Sequence, residues 1–253
     1  MSEKNTSYHV PALEKGLDII ELIAKERSPL SAAQIGETLG RSRNELFRML
    51  SCLEQRNYLY RDEASGNYSL TLRMFELSHQ QSDTSLLLRA ASAPMQRLTE
   101  LIGESCHISI LNQNKIIVLH QAESSRLIRI SVGAGALLNP YNSVSGRLLL
   151  SYLSKEELTK TLNSIPEFTE LKAAEQKKFI DSLKKIHTKA VFKDSSDQID
   201  GIIDIATLVG LKDSTFKASL AITYIPKRAK TTQAEIQKEL TKTAQEITKA
   251  LGY

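Results

Sequence analysis

Hydrophobic positions repeat with helical spacing at the start of the chain and predict its first two helices. After Pro11, which suits a first helical turn, apolar residues recur every three or four positions. Ser31 and Gln34 have the spacing of a capping box and should start a second helix, which Gly40 should end. The apolar stripes are Leu13, Leu17, Ile20, Ile23 and Ala24 in the first helix, and Ile35 and Leu39 in the second.

Residues 42–54 predict a third helix with an unusual polar face. Ser42 and Glu45 have the spacing of another capping box. The opposite face offers a guanidinium, an amide, a ring and a hydroxyl, groups that suit base edges and phosphates. Three short helices with a tight turn before the last predict a helix-turn-helix with a recognition helix. The apolar stripe is Leu46, Met49, Leu50 and Leu53, and the polar face is Arg43, Asn44, Phe47, Arg48 and Ser51.

The residues after the third helix predict a wing and a linker. Residues 58–61 and 67–70 are aromatic-rich and flank a turn, so they predict a β-hairpin. Helical spacing resumes over 71–80, is interrupted by Gln80–Asp83, and continues over 84–102. Pro94 should kink or break that helix. Apolar residues of the linker are expected to carry much of the contact between two DNA-binding halves, because a single amphipathic helix has no other core in reach: Leu72, Phe75, Leu86, Leu87, Ala90 and Ala91.

From Ser105 the period changes to that of strands. Residues 106–111, 116–121 and 127–132 predict an antiparallel meander, and 202–209 and 216–225 predict two more strands. Helices are predicted from Ser143, from Ser154, over 173–189 and over 232–251. Helices on one side of an antiparallel sheet make an α+β domain. We therefore divide the chain into residues 1–72 (DNA-binding), 73–102 (linker) and 103–253 (a second domain).

Charge changes this picture only locally. The 253 residues carry a net charge of +4, which is too mild to demand a nucleic-acid partner. Residues 1–76 hold ten Lys or Arg against eleven Asp or Glu. Residues 41–61, however, hold five arginines, Arg41 among them, against two glutamates. Positive charge is thus concentrated around the predicted recognition helix.

The remaining chemistry excludes several classes of protein. Cys52 and Cys106 stand far apart and are both expected to be buried, in a reducing cytoplasm. No apolar run is long enough for a membrane span, and the five histidines lack metal-ligand spacing, so a soluble chain without metal or cofactor is expected.

Three further patterns have a catalytic interpretation that we weigh against a simpler one. The loop Gly133–Gly135 could cradle a phosphate, but Leu138 stands where the dinucleotide fingerprint needs its third glycine and no Gly-Lys-Ser/Thr follows, so a nucleotide site is rejected. Ser143 and Ser145 lack the preceding glycine of a nucleophile elbow, so capping or anion binding at a helix start is the better interpretation. Asp194 and Asp204 form either an acid-base pair or a polar lining group and a satisfied strand residue.

Four segments together resemble the IclR family of bacterial transcription regulators over nearly the full chain. They are Ala12–Leu22, Arg48–Leu50, Tyr68–Arg73 and Asn139–Leu150, the last being similar to the family's Pro-Leu-His-x-Ser-Ala-x-Gly-Lys-x-x-Leu signature. Tyr141 replaces the signature histidine, Arg147 its lysine, and the proline is displaced to Pro140. Asp204 stands where the family has a small or thiol residue.

The resemblance implies a winged helix-turn-helix, a linker helix and a GAF-like effector-binding domain that assembles dimers or tetramers. Double-stranded DNA with a palindromic operator is the expected partner. Two of the expected DNA-binding residues have an alternative role. Glu45 could simply complete the capping box, and Arg48 could brace a phosphate or a carboxylate of its own domain. The expected DNA-binding residues are Arg41, Arg43, Asn44, Glu45, Phe47, Arg48 and Ser51.

A small organic effector is expected between the sheet and the segment Tyr141–Gly146. Backbone donors at the helix start favour an anion, whereas the two aspartates favour a ligand with hydrogen-bond donors, such as an amide or hydrazide analogue of an aromatic or hydroxy acid. An enzyme, such as a small hydrolase with an accessory winged helix, is the strongest rival interpretation, and a structural winged-helix module whose C-terminal half only oligomerises is a third. The expected lining residues are Leu127, Ile130, Tyr141, Val144, Ser145, Gly146, Asp194, Asp204, Ala221 and Thr223.

Overall fold

The computed structural model describes residues 9–26, 28–79, 82–195, 201–214 and 216–253. The chain divides into two compact units between Ser82 and Asp83. Residues of the predicted linker, 73–102, therefore fall in both units. Among the described helices, none combines the length and the apolar character needed to cross a membrane.

The first unit is a winged helix-turn-helix. Both predicted capping boxes form, since the side chains of Ser31 and Ser42 accept from the backbone N–H three residues on. Gly40 has a φ of 62°, a left-handed conformation that ends the second helix and turns the chain into the third. The elements are α1 (Pro11–Lys25), α2 (Ala32–Leu39), α3 (Arg43–Gln55), β1 (Leu59–Arg61), β2 (Tyr68–Leu70) and α4 (Arg73–His79).

The core of this unit gathers α1, α2, α3 and the hairpin. The strands pair antiparallel, and Leu30 extends the hairpin through a bridge to Tyr68. In α1 the buried residues are Ile19 and Ile23, whereas Leu13 and Leu17 of the predicted stripe are exposed. The buried set is Ile19, Ile23, Leu30, Ile35, Leu46, Leu50, Leu59 and Tyr68.

The second unit is built on a six-stranded antiparallel sheet, as the predicted α+β class requires. Its strand order is β5-β4-β3-β8-β7-β6. The strands are β3 (Cys106–Asn112), β4 (Lys115–Ala122), β5 (Leu137–Leu138), β6 (Val191–Ser195), β7 (Ile203–Val209) and β8 (Ala218–Tyr224), and the helices are α5 (Ser82–Ile102), α6 (Val144–Leu150), α7 (Lys155–Asn163), α8 (Pro166–Thr169), α9 (Ala173–His187) and α10 (Gln233–Ala250).

Helices cover both faces of this sheet, so the prediction of a single covered side is wrong. Alternate strand residues feed two cores, because successive side chains point to opposite faces. Cys106 and Ile108 pack with α5 and α10 in one core. Ala206 and Ala221 pack with α6 to α9 in the other.

Several local predictions also need correction. Residues 127–132 form no strand, and the strand that pairs with the outer edge of β4 is instead β5. The structure adds the strand β6 and the short helix α8, which the periodicity did not indicate. Helix α5 continues through Pro94 without a break, and Gln80 and Gln81 of the predicted interruption lie outside the described residues. Cys106 is buried as expected, but Cys52 is exposed.

Candidate functional sites

The start of α3 is held by hydrogen bonds that consume one of the predicted DNA-binding side chains. The carboxylate of Glu45 accepts from the backbone N–H and the hydroxyl of Ser42, each at 3.0 Å. Its other oxygen lies 3.3 Å from Nζ of Lys15 on α1. The hydrogen bonds from Ser42, and then the charge of Lys15, lower the pKa of Glu45. Glu45 therefore has the capping role that was the simpler alternative.

The opposite face of α3 is open to solvent. Asn44, Phe47 and Arg48 are exposed, and Ser51 is half-buried one turn further on. Phe47 has 67% of its surface exposed, which is unusual for a phenylalanine that serves only its own core. The side chain of Arg43 is outside the described set. This face presents the amide, ring and guanidinium that the sequence predicted.

Arg41 and the wing flank this face. Arg41 Nη2 lies 3.4 Å from Asp18 Oδ2, so this arginine braces the turn before α3 against α1. Phe47 borders a groove of about 360 Å³ that reaches the wing residues Arg61 and Tyr68. The Arg61 guanidinium lies 5.8 Å from the centre of the Tyr68 ring. The groove therefore joins the polar face of α3 to the hairpin.

The second unit holds a cavity of about 270 Å³ between the sheet and the start of α6. Its floor is made of residues on the α6 side of β3, β7 and β8. Its walls come from the loop that precedes β5 and from the loop that leads into α6. The lining residues are His107, Ile130, Ser131, Val132, Leu138, Asn139, Asn142, Ser143, Val144, Ser145, Ile202, Asp204, Ala221 and Thr223.

The two predicted aspartates have different environments. Asp194 and Asp204 are cross-strand neighbours on β6 and β7. Asp204 lines the cavity and accepts a hydrogen bond of 2.6 Å from the Thr223 hydroxyl. Asp194 does not line it, and instead accepts from Arg147 Nη1 at 2.8 Å. Arg147 also stacks over the Phe192 ring, 5.4 Å from its centre, so it ties α6 to the edge strand.

His107 is an ionisable cavity residue that the sequence analysis missed. It lies on β3 opposite Ala221, and only 5% of its surface is exposed. Burial lowers the pKa of the imidazole to about 4, so the ring is neutral at ordinary pH. Within the described part of the chain, the ring has no hydrogen-bond partner. The alternation of β3 was the available signal, since it turns His107 away from Cys106 and towards α6.

The loop before α6 is packed too closely to admit another atom. Ser143 donates to the Asn139 carbonyl at 2.8 Å and accepts from the Gly146 N–H at 3.1 Å. A Cβ on Gly146 would lie 2.7 Å from the Pro140 carbonyl carbon, and closer still to the Cα and the carbonyl oxygen. Tyr141 turns away from the cavity into a cluster of rings in the α6-side core.

The structure brings six of the ten predicted effector residues together around the cavity. The other four, Leu127, Tyr141, Gly146 and Asp194, do not line it. Leu127 has 96% of its surface exposed. The six are Ile130, Val144, Ser145, Asp204, Ala221 and Thr223.

Comparison with protein families decides the identity of both units. The IclR helix-turn-helix domain matches residues 12–63, and the C-terminal domain of the bacterial transcriptional regulator IclR matches residues 79–249. The second match alone covers more than half of the chain. The chain belongs to the IclR family. Its members are transcriptional regulators with a helix-turn-helix DNA-binding domain and a C-terminal ligand-binding domain.

Individual IclR relatives are similar over most of their length. The repressor AllR of Escherichia coli is 25% identical over 244 residues, which are 95% of this chain and 90% of AllR. The regulator KdgR of the same organism is 23% identical over 217 residues, which are 85% of this chain and 82% of KdgR.

Solved IclR structures share the fold. An IclR homologue of Microbacterium hydrocarbonoxydans in complex with 4-hydroxybenzoate has a TM-score of 0.79 at 17% identity, covering 95% of this chain and 99% of that one. The IclR of Thermotoga maritima has a TM-score of 0.72 at 19% identity, covering 97% and 100%. No group of three or more potential metal ligands occurs among the described residues of the present member.

Proposed function

We propose that this regulator reads its operator with the exposed face of α3 and responds to an effector bound in the cavity of the second unit. One observation carries the DNA-binding half of this proposal. Helix α3 begins with a capping box and lies within the segment matched by the family's helix-turn-helix domain. Its exposed amide and guanidinium are groups that bind adenine and guanine edges. Arg43, Asn44, Phe47, Arg48 and Ser51 are the proposed contacts.

We infer that the functional species is a dimer or tetramer on a palindromic operator. A single helix-turn-helix contacts a few base pairs, so paired copies reading half-sites about one helical turn apart supply the specificity. Leu72 and Phe75 of the first unit are exposed apolar residues, which supports an additional contact there. The relatives named as repressors support repression as the mode of action.

Selection of binding sequences from a random DNA pool tests this operator model. The expected consensus is an inverted repeat with half-sites centred about 10 base pairs, or a multiple of that, apart. The mass of the complex, measured on the selected duplex, should correspond to two or four chains. Selection of a single asymmetric site bound by one chain would contradict the model.

The cavity supports an effector site because a small apolar space is combined with a few converging polar groups. Its volume of about 270 Å³ suits a compact organic molecule. The structural neighbour solved with 4-hydroxybenzoate supports an aromatic ligand of this size, or a donor-bearing analogue of one. The contact residues proposed from the structure are His107 and the six cavity residues that the sequence predicted.

Calorimetry with paired aromatic ligands tests the cavity as the effector site. Asp204→Ala should change both the affinity and the ranking of donor-bearing and donor-free ligands. Asp194→Ala should leave the ranking unchanged, because Arg147 holds that carboxylate outside the cavity. Unchanged binding in Asp204→Ala would remove this residue from the site.

A regulatory role without catalysis is the proposal that the side chains support best. The Ser145 hydroxyl, the candidate nucleophile of the hydrolase alternative, accepts a hydrogen bond from the buried Ser219 hydroxyl at 3.0 Å. That partner is not a base that could activate it. The role in transcription also supports a cytoplasmic location.

A further inference from the structure

The charge of the cavity floor points to the class of effector, given the proposal that this cavity is the effector site. Among the described residues that line it, Asp204 is the one with a carboxyl group, and none is a lysine or an arginine. The remaining lining groups are apolar side chains, hydroxyls, amides and one imidazole. Burial keeps that imidazole, His107, neutral. A bare carboxylate ligand would therefore meet a carboxyl group and no lysine or arginine among the described lining residues.

Asp204 and His107 stand at opposite sides of the floor. Asp204 is opposite Thr223 on the neighbouring strand, and His107 is opposite Ala221. β3 and β7 flank β8, so the two backbones are separated by two strand spacings, or about 10 Å. Ala221 lies between them and leaves the middle of the floor apolar. The two polar groups therefore face different ends of a bound molecule.

We propose that the effector is a small amine, with its ammonium group on Asp204, an apolar body over Ala221, and a hydroxyl or carbonyl group at its other end bound by His107. The ammonium group supplies the donors and the charge that a carboxylate binds most strongly. The neutral imidazole has one donor and one acceptor nitrogen, so it binds either a hydroxyl or a carbonyl. The buried ring has no protein partner among the described residues, which makes a ligand the natural one.

Four ligands built on one ring separate the elements of this proposal. 4-Hydroxybenzylamine, 4-hydroxybenzyl alcohol and 4-hydroxybenzoate share the ring and the phenolic hydroxyl and differ in the head group. Benzylamine keeps the ammonium group and lacks the hydroxyl. Their affinities for the full-length protein can be measured by calorimetry. 4-Hydroxybenzylamine should bind at least tenfold more tightly than the alcohol or the acid, and about fivefold more tightly than benzylamine.

Two substitutions assign these preferences to their residues. Asp204→Asn keeps the side-chain volume and should abolish the tenfold preference for the amine over the alcohol. Asp181→Asn removes an exposed carboxylate from α9 and serves as the control, since it should leave every affinity unchanged. His107→Phe should abolish the preference for 4-hydroxybenzylamine over benzylamine, and His107→Gln should restore part of it.

The ranking of ligands by the wild-type protein is informative even if a variant fails to fold. The proposal is overturned if the acid binds as tightly as the amine, if none of the amines binds, or if a folded Asp204→Asn protein keeps the amine preference. Preferential binding of the acid, together with a change in operator affinity, would overturn the amine proposal while leaving the effector-binding function intact. Binding of no ligand would overturn the amine proposal and leave the operator selection as the independent test of DNA binding.

Discussion

Gly146→Ala should destabilise the second unit by forcing apart the loop and helix that wall the cavity. The added Cβ would lie 2.7 Å from the Pro140 carbonyl carbon and closer to two other backbone atoms of that residue. Real Cβ atoms do not approach backbone so closely, and backbone atoms cannot rotate away as a flexible side chain can. The segment Asn139–Ser143 must therefore move away from α6. Three residues of this segment line the cavity, so the cavity wall moves with it.

The magnitude follows from overpacking of a closely packed site. Inserting one methyl group at such a position costs about 1–3 kcal/mol in the free energy of unfolding. For a unit of this size, that cost lowers the melting temperature by roughly 2–10 °C. The assay is thermal unfolding of the full-length protein followed by circular dichroism, with the transition of the second unit analysed separately if two are observed.

Gly133→Ala is the matched control in the same unit. Its Cβ would have only the Gln121 side-chain oxygen within reach, at 3.9 Å, which is an ordinary contact. That variant should melt within about 1–2 °C of wild type, because surface substitutions are usually within about 0.5 kcal/mol. If Gly146→Ala has the same melting temperature as Gly133→Ala, the close packing of α6 against Pro140 does not constrain this domain.

Three other predictions test the remaining interpretations. A fragment of residues 1–80 should bind the selected operator more weakly than the full-length protein at the same salt, because it lacks the second unit; equal affinity would show that this unit contributes nothing to assembly on DNA. Lowering the pH from about 6.5 towards 4 should destabilise the protein by up to about 1.4 kcal/mol per pH unit through His107. The pKa of His107 is about 4 in the folded state, below its unfolded value, so the unfolded state binds the proton first. In urea titrations, His107→Gln should reduce this dependence of the unfolding free energy on pH. A disulfide reagent at pH 8 should label one thiol of the native protein and none after Cys52→Ser, since Cys52 is exposed whereas burial raises the pKa of Cys106 to about 11; labelling of native Cys52→Ser protein would contradict the buried assignment.

Local signals in the sequence were sufficient for the first unit. The capping boxes at Ser31 and Ser42, the left-handed Gly40 and the hairpin depend on residues within a few positions of one another, and all formed as predicted. The sequence did not decide which face of α1 is buried. Apolar residues occur on more than one face of that helix, and only the tertiary fold decides that Ile19 is buried while Leu17 is exposed.

Long-range packing explains what the sequence left unresolved in the second unit. Residues 127–132 alternate like a strand, but the strand that pairs with β4 is β5, which contacts Ile116 and Ile117. Leu87 and Ala91 were expected at a subunit contact, because the helix that holds them appeared to have no core of its own. Both are instead fully buried against the sheet of the same chain, so neither can contact a partner.

The cavity shows the same dependence on distant contacts. The resemblance identified Asp204 and Asp194 together, and periodicity gave no reason to separate them. Only the side-chain contacts do so, because Arg147 binds Asp194 and Thr223 binds Asp204. His107 was missed because its importance arises from a floor assembled from three strands that are distant in the sequence.

Binding of a selected operator by a variant of α3 tests most directly that this helix reads DNA sequence. Fluorescence anisotropy at fixed salt would compare the selected duplex with a scrambled one for the wild type and for Arg43→Ala combined with Asn44→Ala. A control protein with Lys160→Ala and Asn163→Ala loses one cation and one amide from the exposed surface of α7. The account predicts that the α3 variant loses about 1–3 kcal/mol of specific binding for each base-reading side chain, while the control keeps the wild-type preference for the selected duplex. A wild-type preference in the α3 variant would contradict it.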